Sequence, residues 1–199
     1  MLKAAVCCAD IVSLTDSRSL NQQLFAQFSG GLELHSWSNL PTGSGLGTSS
    51  ILAGVILAIL WEISGKTATR SDIIHAVLYL EQLLTTGGGW QDQVGGIQGG
   101  VKIARSPGCL PLQVTTSLIP LSPAQVTLLS SHLVLIYTGK TRLARNLLQN
   151  VVRNWYAREP SIMQNVNNLC ATAESCATAF ETLNIAAIGE CLGILILLF

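Results

Sequence analysis

The stretch Pro41-Thr42-Gly43-Ser44-Gly45-Leu46-Gly47-Thr48-Ser49-Ser50 runs directly into the apolar segment Ile51 to Trp61. A short alternating segment, Leu32 to Trp37, comes just before it and reads as a strand. A glycine-rich turn between a strand and a long helix leaves the first N–H groups of that helix without intrahelical partners, pointing into the turn. Such a junction is a ready anion site. Gly43, Gly45 and Gly47 tolerate positive φ and let a phosphate approach the main chain, while Thr48, Ser49 and Ser50 offer hydroxyls to phosphate oxygens or to magnesium. The ordinary alternative is a helix cap after a flexible turn, and on this segment alone both readings stand.

Better-known glycine motifs do not fit. A dinucleotide fingerprint beginning at Gly45 requires glycine where Ser50 stands. The two Gly-Lys-Thr runs, at Gly65 and Gly139, have Leu60 and Val134 where a Walker A loop has its leading glycine. A hydrolase elbow on Ser49 requires glycine in place of Ile51.

An apolar helical segment opens the chain. Ile51 to Trp61 is apolar on every face, as in a central helix packed on both sides. Thr69 and Asp72 have capping-box spacing, and Ile73, Ile74, Val77, Leu78 and Leu84 recur at helical intervals, which predicts a second helix to about Thr85. Gly87, Gly88 and Gly89 end it and begin a glycine-rich stretch through Gly100 that reads as irregular loop. Val101–Arg105, Leu112–Leu118 and Leu133–Thr138 are candidate strands, and Arg142–Tyr156 and Ser161–Phe180 are candidate helices separated by Pro160. The composition shifts near Leu121 to Pro123, which sets an expected boundary between residues 1–122 and 123–199.

Two carboxylates stand out. Glu81 lies seven residues after Ile74, four after Val77 and three before Leu84, on the apolar face of its helix. Burying it requires compensation, either an arginine in a structural salt bridge or Mg²⁺ beside a nucleotide. Asp92 sits in Gly87-Gly88-Gly89-Trp90-Gln91-Asp92-Gln93-Val94-Gly95-Gly96, where it is either a turn aspartate or the acceptor of a proton from an attacking hydroxyl. Trp90 is either a core residue or the wall of a sugar pocket.

Composition narrows the classes. Lysine plus arginine balances aspartate plus glutamate at 11 each, so there is no basic field for nucleic acid. The charged fraction is 11%, against roughly 25% in average soluble domains, so polar surface is scarce. The apolar runs Ile51–Trp61 and Cys191–Phe199 are shorter than the roughly 18 residues of a spanning helix, which argues against a membrane protein and leaves the second run as a buried or displaced tail. Asp10 interrupts the N-terminal apolar run before a signal-peptide core forms, so a cytoplasmic location is expected. The six cysteines include no C-x-x-C pair, and His35, His75 and His132 stand far apart, so no zinc site is expected.

Together these residues resemble the GHMP small-molecule kinases. Pro41, Gly45, Leu46, Gly47 and Ser49 match the family's P-x-x-x-G-L-G-S-S signature; Thr48 replaces its first serine and Ser50 the alanine that usually follows. Glu81 precedes Asp92 by eleven residues, the spacing of the family's magnesium-binding glutamate and catalytic aspartate. Gly87–Gly100, Gly43–Leu52 and Tyr137-Thr138-Gly139-Lys140-Thr141-Arg142-Leu143-Ala144-Arg145 are similar to the L-fucose kinase branch.

The resemblance implies an α/β fold of α+β two-layer type, with a remnant of a ribosomal-protein-like N-terminal half and an incomplete ferredoxin-like C-terminal half. It implies transfer of the γ-phosphoryl group of ATP to the anomeric hydroxyl of L-fucose, with Mg²⁺ as cofactor. By the same resemblance Asp92 is the catalytic residue, and Pro41, Gly43, Ser44, Gly45, Leu46, Gly47, Thr48, Ser49 and Ser50 cradle the phosphates. Glu81 with Ser49 or Thr48 holds Mg²⁺, and Trp90, Gln91 and Arg142 are candidate substrate contacts, Arg142 being equally readable as a surface arginine. The family's N-terminal substrate motif and C-terminal glycine-rich motif find no match, so the chain is expected to correspond to the middle of a kinase module that pairs with the missing elements. The alternatives are a non-catalytic nucleotide-binding isoform and a kinase for another sugar such as a heptose.

Overall fold

A computed structural model describes residues 1–40, 44–84, 88–137, 139 and 145–197. It divides into two compact units: residues 1–99 with 139–145, and residues 100–138 with 146–199. The described residues form a helix-dominated α/β chain with one small sheet. The composition shift at Leu121–Pro123 falls inside the second unit.

In the first unit, helix α1 (Leu2–Cys8) and helix α2 (Leu20–Phe28) precede the long helix α3 (Thr48–Ile63). Helix α4 (Arg70–Leu83) and the short helix α5 (Gln91–Ile97) follow. Capping boxes set two of the starts: Ser19 with Gln22 on α2, and Thr69 with Asp72 on α4. Each box pairs two N–H groups that the helix itself leaves open. Helices α1, α4 and α5 all pack on α3. Their shared core holds Ala5, Ala9, Ala53, Leu57, Leu60, Val77 and Leu80. Small residues at 5, 9 and 53 let the α1 and α3 backbones come close.

Helix α3 is not packed all round, contrary to the expectation from its composition. Ile51, Val55, Ile59 and Ile63 are exposed at four-residue spacing along one side. The neighbouring helices cover its other faces, and this apolar stripe is left part-exposed, with Ile51 at its start against Gly96 of α5.

In the second unit, strand β1 (Lys102–Arg105) pairs antiparallel with strand β2 (Thr115–Leu118), Lys102 opposite Leu118 and Arg105 opposite Thr115. Helices α6 (Pro123–Ser131), α7 (Arg145–Tyr156), α8 (Pro160–Glu181) and α9 (Ile185–Leu197) complete it. Helices α8 and α9 pack together, and Leu129, Ala179 and Ile188 form a small core with Val101, Leu121 and Phe180 around them. Arg105 of β1 grips Glu174 of α8 through two guanidinium nitrogens, with Nε donating over 2.7 Å. That pair holds the Glu174 carboxyl below the usual carboxylate range.

Several expectations are corrected. Residues 31–38 form no ladder; Leu32 and Leu34 do turn toward the first core while Glu33 and His35 face out, so the alternation is real but no strand pairs with it among the described residues. Residues 133–137 are likewise unpaired and exposed. The stretch read as irregular loop contains α5, and the C-terminal apolar run is helical as far as Leu197, with Cys191 buried. Among the described residues no helix is long and apolar enough to cross a membrane.

Candidate functional site

The site grows from the start of α3. Its N-cap is Gly47, left-handed at φ 63°, and Gly45 also has positive φ at 77°. No side chain caps the helix. Glycine at both positions avoids the strain that a Cβ brings in this conformation. The helix therefore begins at Thr48, three residues earlier than the apolar run, and all three hydroxyls lie in its first turn. The positive end of the helix dipole coincides with them. Just upstream, the Ser44 hydroxyl is buried without a hydrogen-bond partner, an orphaned polar atom inside the loop.

Helix α4 supplies Glu81, which is 8% exposed, as its place on the apolar face foretold. Its Oε1 accepts from Ser49 Oγ at 3.1 Å and from Ser50 Oγ at 2.8 Å. Its Oε2 accepts from Gln93 Nε2 at 2.6 Å. The two hydroxyls come from opposite sides: Ser49 is exposed, and Ser50 is buried. Gln93 comes from α5 and is completely buried.

Asp92 sits in the first turn of α5 and is exposed. A Cβ placed on Gly47 would lie 3.7 Å from Asp92 Cβ and 3.8 Å from its Cγ, so the aspartate rests against the turn that opens α3. The close fit of α5 depends on two further glycines. A Cβ on Gly96 would overlap Ile51 Cγ1, and one on Gly54 would come within 3.3 Å of Ile97.

The first unit thus brings Thr48, Ser49, Ser50, Glu81 and Asp92 to one junction of α3, α4 and α5. Thr48 and Ser44 are half-buried, and Gly45 and Leu46 are exposed. Trp90 is the half-buried N-cap residue of α5, and the Gln91 side chain folds back over Gly89. Pro41, Gly43 and Arg142 lie outside the described residues. Gln93 was not singled out from sequence. Its position is followed by the apolar Val94, which is also buried, and that was the only local signal of an inward face.

The donor set suits a hard divalent cation. Ser49 Oγ and Glu81 Oε1 offer one hydroxyl and one carboxylate oxygen at an exposed edge, which is how Mg²⁺ is commonly held when water and substrate phosphate fill the rest of its shell. Among the described residues no cluster of three or more His, Cys, Asp or Glu side chains gathers, so an all-protein cage is not what this edge offers.

The GHMP kinases N terminal domain family matches residues 12–100, a span that contains the glycine turn, Glu81 and Asp92. The chain is 36% identical over 160 residues to a bifunctional fucokinase/GDP-fucose pyrophosphorylase of Arabidopsis thaliana, covering 80% of this chain and 15% of that protein. It is 32% identical over 185 residues to an L-fucokinase/L-fucose-1-P guanylyltransferase of Bacteroides fragilis, covering 93% of this chain and 19% of that one. The chain therefore spans less than a fifth of the length of either relative. No solved structure matches it. The glycine turn, the buried glutamate and the exposed aspartate all lie inside residues 12–100, the span that matches the GHMP kinases N terminal domain.

Proposed function

We propose that these residues form the phosphate-handling part of an L-fucose 1-kinase, which moves the γ-phosphoryl group of ATP to the anomeric hydroxyl of L-fucose. The observation that carries this reading is the junction itself: the Ser49–Glu81 oxygen pair and Asp92 meet at the glycine-capped start of α3. The names of the two curated relatives supply the sugar.

The N–H groups of the first turn of α3 receive phosphate oxygens, with the Ser44 hydroxyl as a further donor inside the loop. Ser49 and Glu81 hold Mg²⁺. When bound there, the ion neutralises charge on the phosphates during transfer. Asp92 takes the proton of the sugar hydroxyl as its oxygen bonds to the γ-phosphorus and the bond to ADP breaks. Positioning and electrostatics do most of the work. Trp90 and Gln91, at the start of α5 beside Asp92, are the described candidates for sugar contact.

In finer detail, residues 1–122 correspond to an incomplete ribosomal-protein-like half and 123–199 to a partial ferredoxin-like half of a cytoplasmic kinase. A second reading is a non-catalytic nucleotide-binding piece that pairs with intact kinase. The part-exposed stripe Ile51, Val55, Ile59 and Ile63 and the exposed segment Leu133–Tyr137 favour it, since large apolar surface left open calls for a cover. The deciding experiment is ADP release with ATP, Mg²⁺ and L-fucose, measured on the chain alone and on the chain expressed with its flanking coding sequence. Turnover in the longer protein, lost on Asp92→Asn with ATP binding intact, supports the kinase reading. Turnover that survives Asp92→Asn removes Asp92 from the mechanism, and nucleotide binding without turnover in both forms supports the second reading.

A further inference from the structure

Glu81 is gripped from within on both of its oxygens. Ser50, 1% exposed, donates to Oε1 from α3, and Gln93, 0% exposed, donates to Oε2 from α5. The geometry of Gln93 is costly in one respect. Its Oε1 is buried and accepts no hydrogen bond. Exchanging the amide oxygen and nitrogen offers no escape, because the oxygen would then face the carboxylate. An apolar side chain of similar volume would bury no unpaired acceptor of its own, so filling the space gives no reason for glutamine here. What glutamine provides and an apolar residue does not is an N–H aimed at Glu81.

We propose that Ser50 and Gln93 are positioning residues that clamp the Glu81 carboxylate from its buried side, so that Oε1 is presented beside Ser49 to a divalent cation. The inference rests on the reading of Ser49 and Glu81 as the metal-holding pair. It also assigns the Ser50 hydroxyl to the protein interior rather than to phosphate. Because Gln93 follows Asp92 directly on α5, the clamp fixes the metal edge and the proton acceptor relative to each other through a single peptide unit.

The test measures Mn²⁺ binding to the 199-residue chain in the presence of ADP, by loss of the free-ion electron paramagnetic resonance signal, with thermal unfolding of the metal-free protein alongside. Ser50→Ala and Gln93→Met should each weaken Mn²⁺ binding about tenfold, the scale on which partners of metal ligands act. Neither should weaken it further in a Glu81→Gln background, because both act through that carboxylate. A purely structural role lowers the unfolding temperature but leaves the Mn²⁺ affinity of the folded chain unchanged, and that result overturns the proposal, as does an effect that adds to Glu81→Gln. Gln93→Asn, which is one methylene too short to reach Oε2, serves if Gln93→Met does not fold, and if neither folds Ser50→Ala decides by the same criteria. Unchanged binding in Glu81→Gln itself, or no Mn²⁺ binding by the parent chain, defeats the metal assignment and the clamp with it. Weak binding in Glu81→Gln with full binding in the Ser50 and Gln93 variants defeats the clamp alone.

Discussion

Gly47 and Asp92 are in van der Waals reach across the junction of α3 and α5, with the space for a Cβ on the glycine ending 3.7 Å from the aspartate's own Cβ. The glycine is left-handed, so Gly47→Ala meets backbone strain of about 1–2 kcal/mol and adds a methyl in ordinary contact with the aspartate. Gly45→Ala meets the strain alone, because nothing lies within 4 Å of its Cβ position. Urea unfolding should show similar losses for both. Turnover in the flanked protein should fall further for Gly47→Ala, and equal turnover would show that the contact with Asp92 has no influence on it.

Gly96→Ala should destabilise the first unit by about 1–3 kcal/mol, because the added methyl overlaps Ile51 and α5 must move away from α3. The loss should largely disappear in Gly96→Ala combined with Ile51→Ala, which vacates the space. Thermal unfolding of the four proteins of this cycle gives the coupling directly.

Leu57 and Leu80 are completely buried in the core around α3. Leu57→Ala or Leu80→Ala should each cost about 2–5 kcal/mol, measured by chemical denaturation, whereas Ile59→Ala on the part-exposed stripe should cost much less.

The capping box on α4 predicts a response to acid. The backbone N–H of Thr69, and then its hydroxyl, donate to Asp72 and hold that carboxyl below its ordinary range. A carboxyl whose folded value is depressed contributes stability above its unfolded value and loses it as the pH falls through the folded one. Asp72→Asn should therefore flatten the acid limb of the stability curve below about pH 4 and leave its shape at neutral pH unaltered. Thr69→Ala removes the other half of the box and should cost about 1 kcal/mol near pH 7. Melting temperatures across pH 2 to 7 check both.

How much of this was legible in the sequence depended on whether the deciding interaction was local. The capping box of α4 is written within four consecutive residues, and it appears as expected. The inward turn of Glu81 follows from periodicity within its own helix. Helix α5 did not announce itself, because Gly95 and Gly96 are poor helix formers on intrinsic grounds. Gly96 is there for the approach of Ile51, a contact between residues 45 positions apart. The strand readings at Leu32–Trp37 and Leu133–Thr138 meet no ladder among the described residues for a related reason: a sequence pattern describes one strand, and a ladder requires two. The role of Gln93 was hidden as well, since its meaning comes from a carboxylate on a different helix.

The two serines at the head of α3 touch the same carboxylate oxygen, one from the water side and one from the interior. Neighbouring positions on a helix are rotated by about 100°, so this double contact pins the rotational phase of α3 through hydroxyl chemistry, independently of how its apolar side chains happen to pack. Inserting one residue between Ser49 and Ser50 would break the pairing of the two hydroxyls on that oxygen. The length of the tetrapeptide Gly47 to Ser50 is therefore under tighter constraint than the identity of any one of its hydroxyls, and length variation in a redesigned loop belongs upstream of Gly47.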